Sequence, residues 1–175
     1  MSGENTNVSR TCPGTLLFFL AGAIEGPAKA GRTSMKIFGL MLAGAFGALA
    51  RYGLTLAIQN WLAGRGSRGV VATHMGVAFP LGTLVINVMG ALLLAFLVTL
   101  VAQEAVKPEW RLVLGTGFLG AFTTFSTFEL ESEELLSSGN WPAALAYIGG
   151  NLILGFGAII LGRALAFKLL GPGTP

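Results

Sequence analysis

Four long apolar stretches decide what this chain can fold into. They run over residues 37–62, 81–103, 111–136 and 142–168. A helix needs about 20 apolar residues to cross the hydrocarbon of a bilayer, and each stretch exceeds that. Proline marks three of the starts, at Pro80, Pro108 and Pro142, and none falls in a predicted helix interior. At a helix start, proline removes only an N–H that has no helical partner. Trp61, Trp110 and Trp141 all lie at segment ends. Indole rings prefer the membrane–water interface, so these positions read as an aromatic belt. The sequence therefore predicts an all-α, multi-pass integral membrane protein of four transmembrane helices.

Composition points the same way. Of the 175 residues, 53% are hydrophobic and only 11% charged, against about 25% charged in soluble domains. The 26 glycines sit largely inside the apolar runs, where small residues let helix backbones approach closely. The net charge is +3 and the basic residues are scattered, which excludes a nucleic-acid footprint. Cys12 is the one cysteine, so no internal disulfide or cysteine metal site can form. His74 lies in a polar, glycine-containing connection and reads as a loop residue. No His, Cys or Asp lies in the four segments. No familiar catalytic triad or zinc site can be built there, and no enzyme is expected.

Residues 1–34 differ from the rest. A polar start precedes a short apolar run at 16–24, then EGPAKAGRTS and Met35. The run is too short to span. Ala28-Lys29-Ala30 has the form of a signal cleavage site, but the region before it carries Glu4 and a single arginine. The favoured reading takes Met35 as the translation start. Residues 1–34 are then a poorly ordered extension without a fold role, and residues 35–171 the membrane domain. From Met35, Lys36, Lys107, Arg111, Arg163 and Lys168 fall on one side of the membrane. Arg65 and Arg68 fall on the other, with Glu133 and Glu134 in the last connection. Such a small bias permits insertion in either orientation.

Polar residues inside the segments carry the functional information, because polar groups in lipid are costly and face protein or water. Four helices cannot both enclose a polar path and cover it, which argues for an oligomer. In the first segment, Gly44, Gly47 and Ala48 share a face with Arg51. Arg51 has two readings: a side chain snorkelling to the headgroups, or a cation in an aqueous vestibule that attracts anions. In the second, Thr83 and Asn87 share a face at i+4. They serve either as interhelical hydrogen bonds or as donors to a passing anion. The fourth segment repeats this with Tyr147, Asn151 and Gly155.

The third segment is the most informative. Residues 115–128 read GTGFLGAFTTFSTF, with three glycines and five hydroxyl residues in mid-segment. Glycine, serine and threonine weaken a helix. A broken helix in a membrane frees backbone groups that protein, water or ions must satisfy. Phe118, Phe122, Phe125 and Phe128 recur at helical spacing, as either an apolar contact stripe or a pore lining.

GAFGALARY at 44–52, GTLVINVMG at 82–90 and TGFLGAFTTFSTF at 116–128 together resemble the Fluc/CrcB family of small fluoride channels. The likeness covers residues 36–168, and its most specific piece is TTFSTF. Gly120-Ala121 stands where family members often have two glycines. The resemblance implies a dual-topology homodimer of antiparallel subunits in the bacterial inner membrane. It implies passive export of fluoride through two pores, and hence protection from fluoride toxicity. It also implies a structural Na⁺ at the dimer centre, held by backbone carbonyls of Gly120 and Thr123 at a break in the third helix. Carried over, Phe125 and Phe128 are the pore phenylalanines, Asn87 the pore amide and Arg51 the vestibule arginine. Tyr147 and Asn151 belong to the fourth-helix lining, with Ser126, Thr127, Thr83 and Glu131 as further pore residues.

Physical chemistry agrees with that implication. Fluoride holds its water tightly, so a pore must replace that water with other donors. Hydroxyls and amides donate hydrogen bonds, and phenylalanine offers the electropositive edge of its ring. Repeated modest sites bind an ion without trapping it. A small proton-coupled multidrug exporter is the main rival class. It would want a carboxylate in its first helix, and segment 37–62 has none. A non-conducting scaffold would account for the glycines and tryptophans but not for the hydroxyl–phenylalanine run.

Overall fold

The computed structural model describes residues 27–64 and 79–171. Residues 1–26, including Cys12 and most of the expected extension, lie outside the described residues, as do Arg65, Arg68 and His74. The described residues from Lys36 onward belong to one unit.

Every described element is helical. Helix α1 spans Pro27–Gly64, so it starts eight residues ahead of Met35. Helix α2 spans Leu81–Ala102, directly after Pro80. Helix α3, residues 108–122, opens on a short turn Pro108–Trp110. It continues as a wider π-type helix over Arg111–Leu119 and closes with Gly120–Phe122. Helix α4 is Phe125–Ser137 and helix α5 is Trp141–Leu170.

Among the described residues, three helical stretches are long and apolar enough to cross a membrane: Thr33–Leu62, Leu81–Ala102 and Trp141–Leu170. The remaining expected segment, 111–136, is shared between α3 and α4. Thr123 and Thr124 have extended backbone between these two helices.

The helix ends have local causes. Gly139 takes φ 76° after α4, a left-handed value that glycine adopts without a Cβ clash. Its N–H reaches the Leu136 carbonyl at 3.0 Å and that of Asn140 reaches Leu135 at 3.1 Å, which satisfies the last carbonyls of the helix. Asn140 then caps α5 by accepting from the Ala143 N–H at 3.3 Å. Glu104 turns the chain after α2 with φ 57°.

Helices α2 and α5 pair extensively. A side chain at Gly150 would meet Leu84, and one at Gly162 would run into the Leu92 carbonyl. The partners ascend together in both helices, so α2 and α5 run in the same direction. The chain between them, residues 103–140, must therefore return once across their length. Helix α3 fits between α1 and α2. A Cβ at Gly117 would lie 2.9 Å from that of Ala43. One at Gly47 would collide with the Phe118 carbonyl, and one at Gly115 would meet Leu94 and Leu97. Glycine is what permits these close approaches.

Few side chains are fully buried. Leu135, Ala144 and Tyr147 form a core, with Phe79, Leu84 and Phe128 against it. Phe38, Met41, Phe46 and Leu49 of α1 lie open, as do Ile153, Phe156 and Ile160 of α5. Apolar surface on this scale needs lipid or another protein surface to cover it. Trp61, Trp110 and Trp141 are all exposed, as interfacial indoles are.

Candidate functional site

The site is built around the two extended residues between α3 and α4. Thr123 (φ −79°, ψ 159°) and Thr124 (φ −147°, ψ 118°) leave the helical path. In a continuous helix, the Thr124 N–H would donate to the Gly120 carbonyl. Here it donates to Asn87 Oδ1 at 3.0 Å. The Thr124 carbonyl accepts from Asn87 Nδ2 at 3.1 Å. One primary amide on α2 thus satisfies both backbone groups of one residue, where lipid could satisfy neither. Thr123 keeps its link to α3, since its N–H and hydroxyl both donate to the Leu119 carbonyl at 3.0 Å. Gly90 makes room for this. A Cβ there would collide with the Thr123 methyl group. Thr124 also caps α4, accepting from the Thr127 N–H at 3.4 Å, with its hydroxyl 2.8 Å from that of Thr127.

The parallel course of α2 and α5 places matching positions side by side. Asn87 Nδ2 also donates to Asn151 Oδ1 at 3.1 Å, and Asn151 Nδ2 donates to the Tyr147 carbonyl at 3.0 Å. One helical turn earlier in each helix, about 6 Å away, Thr83 and Tyr147 hold the Glu131 carboxylate. Thr83 donates to Oε1 at 3.0 Å and Tyr147 to Oε2 at 2.6 Å. Tyr147 is 0% exposed and Thr83 buried. A carboxylate in such a place needs donors of this kind.

Aromatic rings flank the two tiers. The Phe128 ring lies 5.6 Å from Tyr147, and Phe79 meets Tyr147 edge-on at the same distance. Phe125 lies 5.8 Å from Phe128 and is 69% exposed. It stands at the rim of a groove of about 720 Å³ along α2 and α5. Asn87, Thr123, Thr124 and Asn151 line that end of the groove and Arg163 the other.

The structure therefore brings together Asn87, Asn151, Thr83, Tyr147, Glu131, Phe125, Phe128 and Thr127 from three separated stretches of sequence, on α2, α4 and α5. Ser126 and Gly120 are exposed nearby on α4 and α3. Arg51 stands apart. It is half-buried on α1, and its carbonyl accepts from the Thr55 hydroxyl at 2.9 Å. Among the described residues, no side-chain hydrogen bond joins it to the cluster. Sequence reasoning passed over Thr124 and Gly90 as site residues. Asn87 and Gly90, spaced i+3 on one helix face, were the available signal.

The Tyr147–Glu131 bond gives a stability prediction. Tyr147→Phe removes one donor from a carboxylate that has two, and hydrogen bonds to charged groups contribute about 1.5–3 kcal/mol. Thermal unfolding of purified protein in detergent should show a loss of that order. An unchanged midpoint would mean that the bond contributes nothing to the fold.

Fold and site together define a multi-pass helical membrane protein with a polar, phenylalanine-flanked cluster between its helices. Residues 38–163 match the model of the CrcB-like protein (camphor resistance, CrcB) family. The chain belongs to the CrcB family. It is 40% identical over 130 residues to a fluoride-specific ion channel FluC of Saccharophagus degradans, covering 74% of this chain and 87% of that one. It is 43% identical over 131 residues to FluC 2 of Symbiobacterium thermophilum (74% and 96% covered). It is 44% identical over 128 residues to FluC of Nitratidesulfovibrio vulgaris (73% and 93% covered). Both relatives are also named fluoride-specific ion channels.

Proposed function

We propose that this chain is a fluoride-selective ion channel, not an enzyme, which lets cytoplasmic fluoride leave passively and so protects the cell. The observation that carries the reading is the Asn87 amide bound to both backbone groups of Thr124, directly beside Phe125 and Phe128. It sets amide and hydroxyl groups and two phenylalanine rings along one groove. That is a donor set for a small, strongly hydrated anion. The names of the relatives support the choice of fluoride.

In this reading, residues 108–137 form a third span broken at Thr123–Thr124, which makes four crossings. The single return demanded by the parallel α2 and α5 supports it. Two copies insert antiparallel in the bacterial inner membrane as a homodimer, each covering the apolar groove of the other. Phe125, Phe128, Asn87, Asn151, Tyr147, Thr83, Ser126, Thr127 and Glu131 line the pores, and Arg51 attracts anions from its vestibule. Residues 1–34 are an extension outside the channel domain.

The residues present also fit a structural Na⁺ between the copies. Asn87 takes the N–H that the Gly120 carbonyl would have accepted, which frees a carbonyl oxygen at the break. The Thr123 carbonyl lies in the extended stretch beside it. Freed carbonyls at broken membrane helices are suitable Na⁺ ligands. Two per copy make four in a dimer. When bound, the ion supplies fixed positive charge near the anion path.

The test is fluoride efflux from liposomes holding the purified full chain, with chloride as control ion. Fast efflux of fluoride and none of chloride is expected. Absence of fluoride efflux from folded dimer would overturn the channel reading. The same assay on protein begun at Met35 is expected to give equal rates.

A further inference from the structure

A second hollow, of about 370 Å³, opens at the start of α3 and is lined by Lys107, Glu109, Trp110 and Val113. Among the described residues, it shares no lining residue with the groove along α2 and α5. Its level in the membrane follows from its residues. Trp110 is 49% exposed, and an exposed indole at the end of a span lies among the lipid headgroups. Lys107 has extended backbone just ahead of the helix, and Lys107 and Glu109 are both exposed. Val113, one turn further into α3, is half-buried. It lies against α1, where a Cβ on Gly39 would be 3.6 Å from its methyl group. The hollow therefore passes from two charges, through an indole, to an apolar floor. A phospholipid changes in the same order, from headgroup through glycerol to acyl chain.

The two charges are opposite in sign and do not pair. Among the described residues, neither the Lys107 nor the Glu109 side chain enters an ion pair or a hydrogen bond. An ammonium only donates and a carboxylate only accepts. A phosphate by itself would suit Lys107 and be repelled by Glu109. A group that carries a phosphate and a protonated amine suits both. We propose that this hollow is a headgroup site for an aminophospholipid. Lys107 holds the phosphate, Glu109 accepts from the primary ammonium of the headgroup, and Trp110 covers the glycerol level above Val113. The site requires only that the chain spans a membrane, and is independent of which ion the protein passes. The apolar floor selects a lipid over a free phosphorylated amine.

The test is native mass spectrometry of the full chain in detergent, titrated with three phospholipids of equal acyl chains. Phosphatidylethanolamine carries a phosphate and a primary ammonium. Phosphatidylcholine carries the same charges but no N–H, and phosphatidylglycerol carries no cation. The wild type should bind phosphatidylethanolamine about fivefold more tightly than either, as one exposed ion pair allows. Glu109→Gln should erase that preference while keeping the affinity for phosphatidylglycerol. Lys107→Gln should weaken all three about fivefold. Lys168→Gln, near the end of α5, should preserve the preference. All three substituted residues are exposed, and circular dichroism confirms that the variants keep their helices. Equal wild-type affinities, or a preference for phosphatidylglycerol, would overturn the headgroup assignment. A preference that survives Glu109→Gln, or that Lys168→Gln also removes, would overturn the site. Soluble phosphoethanolamine competing as well as the lipid would overturn the lipid as occupant.

Discussion

Replacing Phe125 and Phe128 together with isoleucine should abolish fluoride efflux while leaving the protein folded and assembled. Phe125 is exposed and lies 5.8 Å from Phe128, which in turn contacts Tyr147. Removing both rings leaves the amide and hydroxyl groups but takes away the two aromatic side chains of α4 that line the groove beside them. An anion that sheds water there and gains no new partner faces a barrier several kcal/mol higher. Since each 1.4 kcal/mol is tenfold in rate, efflux should fall about a hundredfold or more. The effect on stability is small. Isoleucine keeps most of the volume, and volume-conserving apolar swaps usually cost less than about 1.5 kcal/mol. Efflux from liposomes and size-exclusion of the detergent-solubilised dimer measure the two quantities separately. Wild-type efflux in a folded double variant would remove both phenylalanines from the pore.

A large stability effect is expected at Gly162. This glycine lies directly against α2, and a Cβ there would collide with the Leu92 carbonyl. It would also approach the Phe96 nitrogen to 3.1 Å and the Ala95 Cβ to 3.2 Å. Two of these three neighbours are backbone atoms, which no side-chain rotation can move. Gly162→Val should therefore separate the helices that carry Asn87 and Asn151, at a cost of about 3 kcal/mol. Thermal unfolding in detergent would show a much lower midpoint. Gly157→Ala in the same helix is the control. No atom lies within 4 Å of its added carbon, and alanine favours a helix over glycine by about 1 kcal/mol. Equal midpoints for the two variants would mean that the close approach at Gly162 does not hold the bundle.

Some of the site was legible before any coordinates. Asn87 and Thr83 share a helix face, as do Asn151 and Tyr147, because i+4 spacing alone puts them there. That these two faces meet was not legible. The contact of Asn87 with Asn151 spans 64 residues of sequence, and that of Thr83 with Glu131 spans 48. Glu131 could be placed on the path only by resemblance, because its neighbours in sequence say nothing of the two hydroxyls that hold it. Arg51 could equally be read as a pore residue or a snorkelling one. The structure leaves it on α1, outside the hydrogen-bonded cluster.

The apolar character of the chain settles, by itself, that this is a helical membrane protein. In lipid, each backbone must satisfy its own polar groups, and length plus hydropathy then say where helices form. Residue chemistry alone also singles out 115–128 as a place where a helix is weak. Only the tertiary structure decides where that weakness becomes an extended backbone. Glycine and threonine lower helix stability across the whole stretch, so propensity selects no single residue. The position is set by a partner on another helix. Asn87 offers both backbone groups of Thr124 a hydrogen bond outside the helix, and Gly90 leaves space for Thr123 beside it.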